Sequence, residues 1–285
     1  MPRLFGLCGQ AQGIAARLAL QAARGELLSA EALSAGGRAV ALEAIGEHLW
    51  RLLLDWPPML AGVARQDEFV SWRKRLRAVA DQTMATALGV ELLAWLERET
   101  LTFADPVLST VGALLPWRGA AAWAREIIDE AFALRPQVAG QPAETGALAR
   151  RADDPGVAAL LAAGDRVAAR LAARYADLRF LARALIEPHL LASWLDAAPV
   201  AERVGLARVE TARGLLLHLI QINDGRVGRY VIVAPTEWNF HPQGAFAREI
   251  TGVHAASRDQ AECIGRRLAL ALDPCVAYEV IVKDA

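Results

Sequence analysis

The sequence predicts an α+β protein, a mostly helical body followed by a small C-terminal antiparallel β-sheet. Two changes of pattern carry that reading. From about residue 9 to about residue 200 apolar side chains recur at three- and four-residue steps, the spacing of a buried helix stripe. After Pro199 the period falls to two, as in strands. The composition supports a sizeable core: of 285 residues, 54% are hydrophobic, 22% charged and only 6% aromatic. The change of period divides the chain into a helical body (1–200) and a β-containing region (201–285), expected to form one compact unit.

Within the body, Ala39, Leu42, Ile45, Leu49, Leu52 and Leu53 make one helix stripe. Trp56-Pro57-Pro58 is expected to stop that helix, because proline lacks the amide and clashes with the preceding turn. Asp105-Pro106 and Asp154-Pro155 each read as an N-cap followed by proline at the first helical position. Arg135-Pro136 to Pro155, with Gly140, Pro142 and Gly146, reads as a loop or mobile linker. Val157 to Leu195 reads as a long helix or helix pair interrupted at Pro188. Beyond it, Arg208 to Thr211 and Leu215 to Ile222 read as strands. Asn223-Asp224-Gly225-Arg226 is a turn, and Val227 to Ala234 returns as the partner strand. Ser257 with Gln260 forms a capping box for a helix running to about Leu272. Val276 to Asp284 resumes β-type alternation.

Charge and cysteine content exclude several classes. With 31 Lys+Arg against 32 Asp+Glu the net charge is −1, which removes the electrostatic basis for binding nucleic acid or a polybasic contact with a membrane surface. No run of about eighteen apolar residues is free of charge, so no membrane span is expected. The start, Met1-Pro2-Arg3-Leu4-Phe5-Gly6, lacks the pattern of a signal peptide. Three cysteines are no disulfide framework and point to a reducing compartment, hence to a cytoplasmic protein. No phosphate loop or dinucleotide fingerprint occurs, and the five histidines show no zinc-site spacing. Of these only His241, beside Pro242, stands in a suggestive motif. Cys263 reads as a small core residue of the helix after Ser257. The tryptophans read as packing residues, and Arg73-Lys74-Arg75 with Arg77 as a solvated helix face.

Three segments carry chemistry: Arg3-Leu4-Phe5-Gly6-Leu7-Cys8-Gly9-Gln10-Ala11-Gln12 near the start; Glu210-Thr211-Ala212-Arg213-Gly214 and Ala234-Pro235-Thr236-Glu237-Trp238-Asn239-Phe240-His241-Pro242 in the β region; and Asp273-Pro274-Cys275-Val276-Ala277-Tyr278 at the end. In this order they resemble the large subunit of nickel–iron hydrogenases, whose pattern is R-x-C-G-x-C-x-x-x-H, A-P-R-G, P-T-x-W-N-x-x-P and D-P-C-x-x-C-x-x-H. The match is strongest over roughly 205–282 and the first dozen residues, and thin in the alanine-rich middle. The departures are specific. Phe5 and Tyr278 stand at two of the four cysteine positions, Gln12 and Ile281 at the histidine positions, and Ala212 at the proline of A-P-R-G. Cys8 and Cys275 keep one thiolate from each pair.

A nickel site of the enzyme's kind needs four soft sulfur donors. Phenylalanine offers none, and tyrosine a hard, protonated oxygen. No nickel is therefore expected. An iron that already carries strong diatomic ligands needs fewer donors from the protein. The half-dismantled pattern resembles the HupK/HoxV-type hydrogenase expression and formation proteins. That resemblance implies a fold like a truncated large subunit. It also implies a maturation scaffold without turnover, on which iron bearing two cyanides and one carbon monoxide is held by Cys8 and Cys275. Arg213 and Asp273 would line the same cavity, and Pro235-Thr236 would pack around the diatomic ligands. The implied partners are the hydrogenase large-subunit precursor and other maturation proteins. The residues alone leave plainer readings open: Arg213 as a strand-edge arginine, Asp273 as a turn residue. They also leave open a metal-free chaperone for the immature large subunit, and an oxidoreductase with a reduced metal site. The canopy reading further expects Arg213→Leu to leave the fold intact.

Overall fold

The computed structural model describes residues 8–26, 29–99, 112–251 and 253–283. The chain starts with α1 (Gly9–Ala23) and α2 (Ala30–Trp50), the second capped by the Ser29 hydroxyl, which accepts from the Ala32 amide. Then α2 widens into a π-turn at Arg51–Asp55 and runs on as α3 (Trp56–Met59). Trp56-Pro57-Pro58 thus does not stop the helix. Both prolines fall in the first turn of α3, where amides are dispensable. The Leu53 carbonyl is taken instead by the Arg65 amide at 2.8 Å. Next come α4 (Gln66–Ala78), α5 (Gln82–Arg98), α6 (Ala120–Trp123), α7 (Glu130–Leu134), α8 (Ala147–Arg151), α9 (Pro155–Ala162) and the long α10 (Arg166–Ile186). Asp154 caps α9 with Pro155 at its first position, as the sequence predicts; Asp105-Pro106 lies outside the described residues.

Two further expectations are corrected. The stretch 136–155 is no linker, because 142–148 is buried and α8 lies within it. The predicted helix to Leu195 ends at Ile186, and a 3₁₀ turn at Pro188–Ser193 leads into a strand that the sequence reading missed, β1 (Leu195–Ala201). With β2 (Val204–Thr211), β3 (Gly214–Asn223) and β4 (Arg226–Val233) it forms an antiparallel meander in the order β1-β2-β3-β4. After the sheet follow α11 (Pro235–Asn239), α12 (Ala245–Thr251) and α13 (Arg258–Leu272), the last capped by Ser257. Residues 276–283 form no strand: they run irregularly, with Val276, Tyr278 and Ile281 exposed. Asp284 lies outside the described residues. The α+β architecture is as predicted.

Both faces of the sheet are covered. Ala207, Val209, Leu216 and Ile220 face α1 and the helical body. Leu206, Leu215, Leu217, Leu219, Val231 and Val233 face Trp123 and Trp238. That is why β3 reads Leu-Leu-Leu-His-Leu-Ile rather than as an amphipathic alternation. Helix α1 crosses β2 so closely that a Cβ on Gly205 would stand 2.2 Å from the Ala23 nitrogen and 2.3 Å from the Ala19 carbonyl oxygen. Only glycine allows this approach, and it fixes α1, with Cys8 at its start, against the sheet.

The polar residue on the inner face, His218 of β3, sits between Gln12 Oε1 and the Tyr230 hydroxyl, each at 2.8 Å. Burial lowers its pKa to about 3. The folded protein therefore keeps His218 neutral, while the unfolded chain takes up a proton below about 6.5. Stability from this site is complete above that pH and is lost as pH falls from about 6.5 towards 3. Thermal melts between pH 7.5 and 4.5 should show His218→Gln losing distinctly less stability on acidification than wild type. Parallel pH profiles would remove His218 as a source of the acid sensitivity.

Candidate functional site

The site forms where both ends of the chain meet the β2–β3 turn. Cys8 caps α1 in the left-handed conformation (φ 54°, ψ 29°) and is buried. Glu43 of α2 accepts from the Gln10 and Ala11 amides at 2.7 and 3.0 Å, closing the helix start beside it. Cys275 follows α13, and its amide donates to Thr236 Oγ1 at 2.9 Å in the first turn of α11. The two thiols are hydrogen-bonded to each other. That contact makes them unequal. Cys8 donates, and this bond together with burial holds its thiol well above the ordinary range. Cys275 accepts, and although burial opposes ionisation, the bond from Cys8, the nearby Arg213 guanidinium and the Thr236 hydroxyl lower it to about 7.

Arg213 lies in the turn between β2 and β3, its side chain wholly buried. The turn is held by Thr211, whose Oγ1 accepts from the Arg213 and Gly214 amides. The guanidinium spreads over three partners: Cys8 Sγ at 3.4 Å, Asp273 Oδ1 at 3.2 Å and Glu47 Oε2 at 2.8 Å. Asp273 ends α13 at φ 54°. Burial raises its pKa, but Arg213, Arg174 and Arg51 outweigh that and hold it at about 2. Arg51 Nε donates to Asp273 Oδ1 at 2.8 Å, and Arg174 Nη1 lies 3.2 Å from Oδ2. Cys8 and Asp273 are thus two non-glycine residues in a left-handed conformation at one spot, the kind of backbone strain that clusters at functional sites.

All six residues singled out in the sequence stand here. Cys8, Cys275, Arg213 and Asp273 touch one another in a continuous set, and Thr236, beside Pro235 on α11, anchors Cys275. Several functional neighbours escaped sequence reasoning. Glu43 and Glu47 of α2 and Arg51 of the π-turn recur every four residues, a charged stripe that could have been noticed. Asn239, inside the quoted motif, joins three segments: its Oδ1 accepts from the Thr145 amide at 2.9 Å, and its Nδ2 donates to the Arg213 and Leu272 carbonyls, each at 3.4 Å. Arg174 belongs to a stripe on α10, with Arg166 and Arg170 bound to the buried Glu144. Beyond Arg174, His48 lies between its guanidinium and Asp177.

Other expectations fall away from the site. Cys263 is exposed, not a core residue, because it lies in the first half of α13, whereas burial is concentrated at the other end of the helix, from Leu268 to Leu272. His241 is buried and its Nδ1 accepts from the Gln243 amide at 3.0 Å, a local turn bond. Tyr278 is exposed over a groove with Arg51, Asp55 and Arg266. Phe5 lies outside the described residues. Among the described residues no three His, Cys, Asp or Glu side chains group as metal ligands.

The fold that carries this site, a sheet wrapped by α1 within a helical body, is that of the hydrogenase large subunit. The chain aligns with the reduced Ni-Fe-Se hydrogenase of Desulfomicrobium baculatum at a TM-score of 0.64 and 14% identity, over 96% of this chain and 88% of that one. At that identity the likeness concerns the fold. The family model described as nickel-dependent hydrogenase matches residues 168–280. Over nearly its whole length the chain is 33% identical to the hydrogenase expression/formation protein HupK of Rhizobium leguminosarum bv. viciae, covering 99% of this chain and 85% of the relative. It is 35% identical to HoxV of Cupriavidus necator, covering 98% and 85%. The chain belongs to this HupK/HoxV family of hydrogenase expression/formation proteins.

Proposed function

We propose that the protein serves hydrogenase maturation as an accessory scaffold without turnover, holding iron with two cyanides and one carbon monoxide between Cys8 and Cys275 before the group passes to the large subunit. The observation that carries the reading is the thiol pair itself, brought into hydrogen-bond contact from opposite ends of the chain beneath Arg213. Two adjacent soft donors suit an iron centre whose other positions are already filled, and are too few for nickel in a tetrathiolate site. Cys275, its thiol already lowered, ionises first; binding would then displace the shared proton from Cys8. The Arg213 guanidinium beside both sulfurs would offset the anionic charge of the bound group and donate to a cyanide nitrogen. Thr236 keeps Cys275 in place. No described helix is long and apolar enough to cross a membrane, and the scaffold is proposed to work in the cytoplasm.

The test is an infrared spectrum of anaerobically purified protein. Cyanide and carbonyl stretches lie where protein does not absorb. They are expected in the wild type and should vanish in Cys8→Ser and in Cys275→Ser. If the wild type shows no such bands while both serine variants support normal hydrogenase activity in cells, the protein is a metal-free chaperone and the thiol pair carries no cargo.

A further inference from the structure

The basic run Arg73-Lys74-Arg75 with Arg77 is a sequence feature that the site does not use, and the fold divides it. Arg75 turns towards α5, pairing with Glu91 at 3.2 Å and lying 4.9 Å over the Trp72 ring. Arg73 and Arg77 line a groove of about 520 Å³ between α2 and α4. Its floor is apolar and spaced as helix faces are: Leu42, Gly46 and Trp50 from α2, Phe69 and Leu76 from α4. The α2 wall carries Glu43 and Glu47, and the groove reaches Gln10, two residues beyond Cys8. Both carboxylates are already engaged, Glu43 with the Gln10 and Ala11 amides and Glu47 with Arg213. Among the described residues Arg73 and Arg77 make no ion pair, so the two guanidiniums are the side chains of the groove left free to receive a carboxylate.

We infer that this groove docks an amphipathic helix with an apolar stripe and carboxylates along one edge, presented by the hydrogenase large-subunit precursor. The identity of that partner rests on the proposed function; the chemistry of the groove does not. A two-helix groove with apolar residues at helical spacing receives a third helix through its apolar face. Unpaired guanidiniums then select the acidic edge and set its orientation. Because the α2 wall includes Glu47, the residue that holds Arg213, a docked helix lies against the support of the thiol pair. Partner recognition and the cargo site share one continuous surface.

The experiment is calorimetric titration of the purified metal-free precursor into the full-length protein, wild type against Arg73→Glu/Arg77→Glu, at low and at high salt. Both arginines are exposed on α4 and neither touches the thiols, so the variant should fold and keep any cyanide and carbonyl bands. Binding should weaken by about tenfold or more, and its salt dependence should shrink. A second variant, Leu76→Asp, should weaken binding at both salt concentrations. Unchanged affinity in the arginine variant overturns the inference, as does a wild type that does not bind the precursor. If the infrared bands are missing throughout but the groove variants still lose the precursor, docking stands and the cargo reading falls.

Discussion

Arg213→Leu is expected to destabilise the protein by about 3–5 kcal/mol, the usual cost of removing one partner from a buried ion pair. Its guanidinium is the shared cation of Asp273 and Glu47, and the Asp273 side chain has no solvent exposure at all. Among the described residues, leucine would leave Asp273 with Arg51 and Arg174 only, and Glu47 with no cation. For a chain of this size the Tm should drop on the order of 10 °C. Arg213→Lys keeps a charge but not the three-way fork, so a smaller loss is expected. This corrects the expectation drawn from the sequence, in which the substitution touched the cargo and spared the fold. The structure makes Arg213 a keystone of the fold around the thiol pair, so any cargo loss in the leucine variant has to be read beside its melting curve. A Tm within a degree or two of wild type would show that Asp273 and Glu47 find other partners or reach water.

How much was legible depended on whether a signal was local. The turn at Asn223-Asp224-Gly225-Arg226, the Ser257 cap and the Asp154-Pro155 start each depend on a few adjacent residues, and each stands as read. What failed were signals decided at a distance. Trp56-Pro57-Pro58 reads as a stop until the Arg65 amide, at the start of α4, folds back and takes the carbonyl that the prolines leave free. Leu195 to Ala201 drew no strand reading because alanines and a proline give no strand signal; pairing with β2 makes it one. Val276 to Val282 alternates like a strand but has no partner strand among the described residues. The six candidate residues could be singled out together because motif order survives in sequence. Their supports, Glu43, Glu47, Arg51, Arg174 and Asn239, could be recognised only after folding brought α2, α10 and α11 to the same point. Composition had a further blind spot: a net charge of −1 conceals a dense interior lattice in which Glu144 and Glu249, or Asp177 and Glu210, are each bound by buried arginines.

On the proposed function, placing sulfurs at the other two cysteine positions of the motif, Phe5→Cys with Tyr278→Cys, is expected to convert the scaffold into a trap. A scaffold has to release what it holds, so its affinity must lie below that of the final acceptor. Two thiolates hold an iron group less firmly than four, and each metal–sulfur bond removed lowers the barrier to exchange. The thiol pair is suited to that compromise. Cys275 lies near the surface beside an exposed segment, while Cys8 is buried under Arg213. One donor is therefore within reach of an incoming ligand, and the other is shielded. Tyr278 is exposed, so replacing it removes no core packing, and a cysteine there stands three residues from Cys275, the spacing at which two thiolates can hold one metal. The double variant should retain iron through purification, take up nickel when it is supplied, and impair maturation of the hydrogenase in cells even though it is folded and abundant. Metal content and hydrogenase activity read together decide the matter. Full activity with no additional metal would show that the residues at positions 5 and 278 do not control release. Retained metal with full activity would place the control instead on the acceptor, whose four thiolates would then outcompete even a complete site.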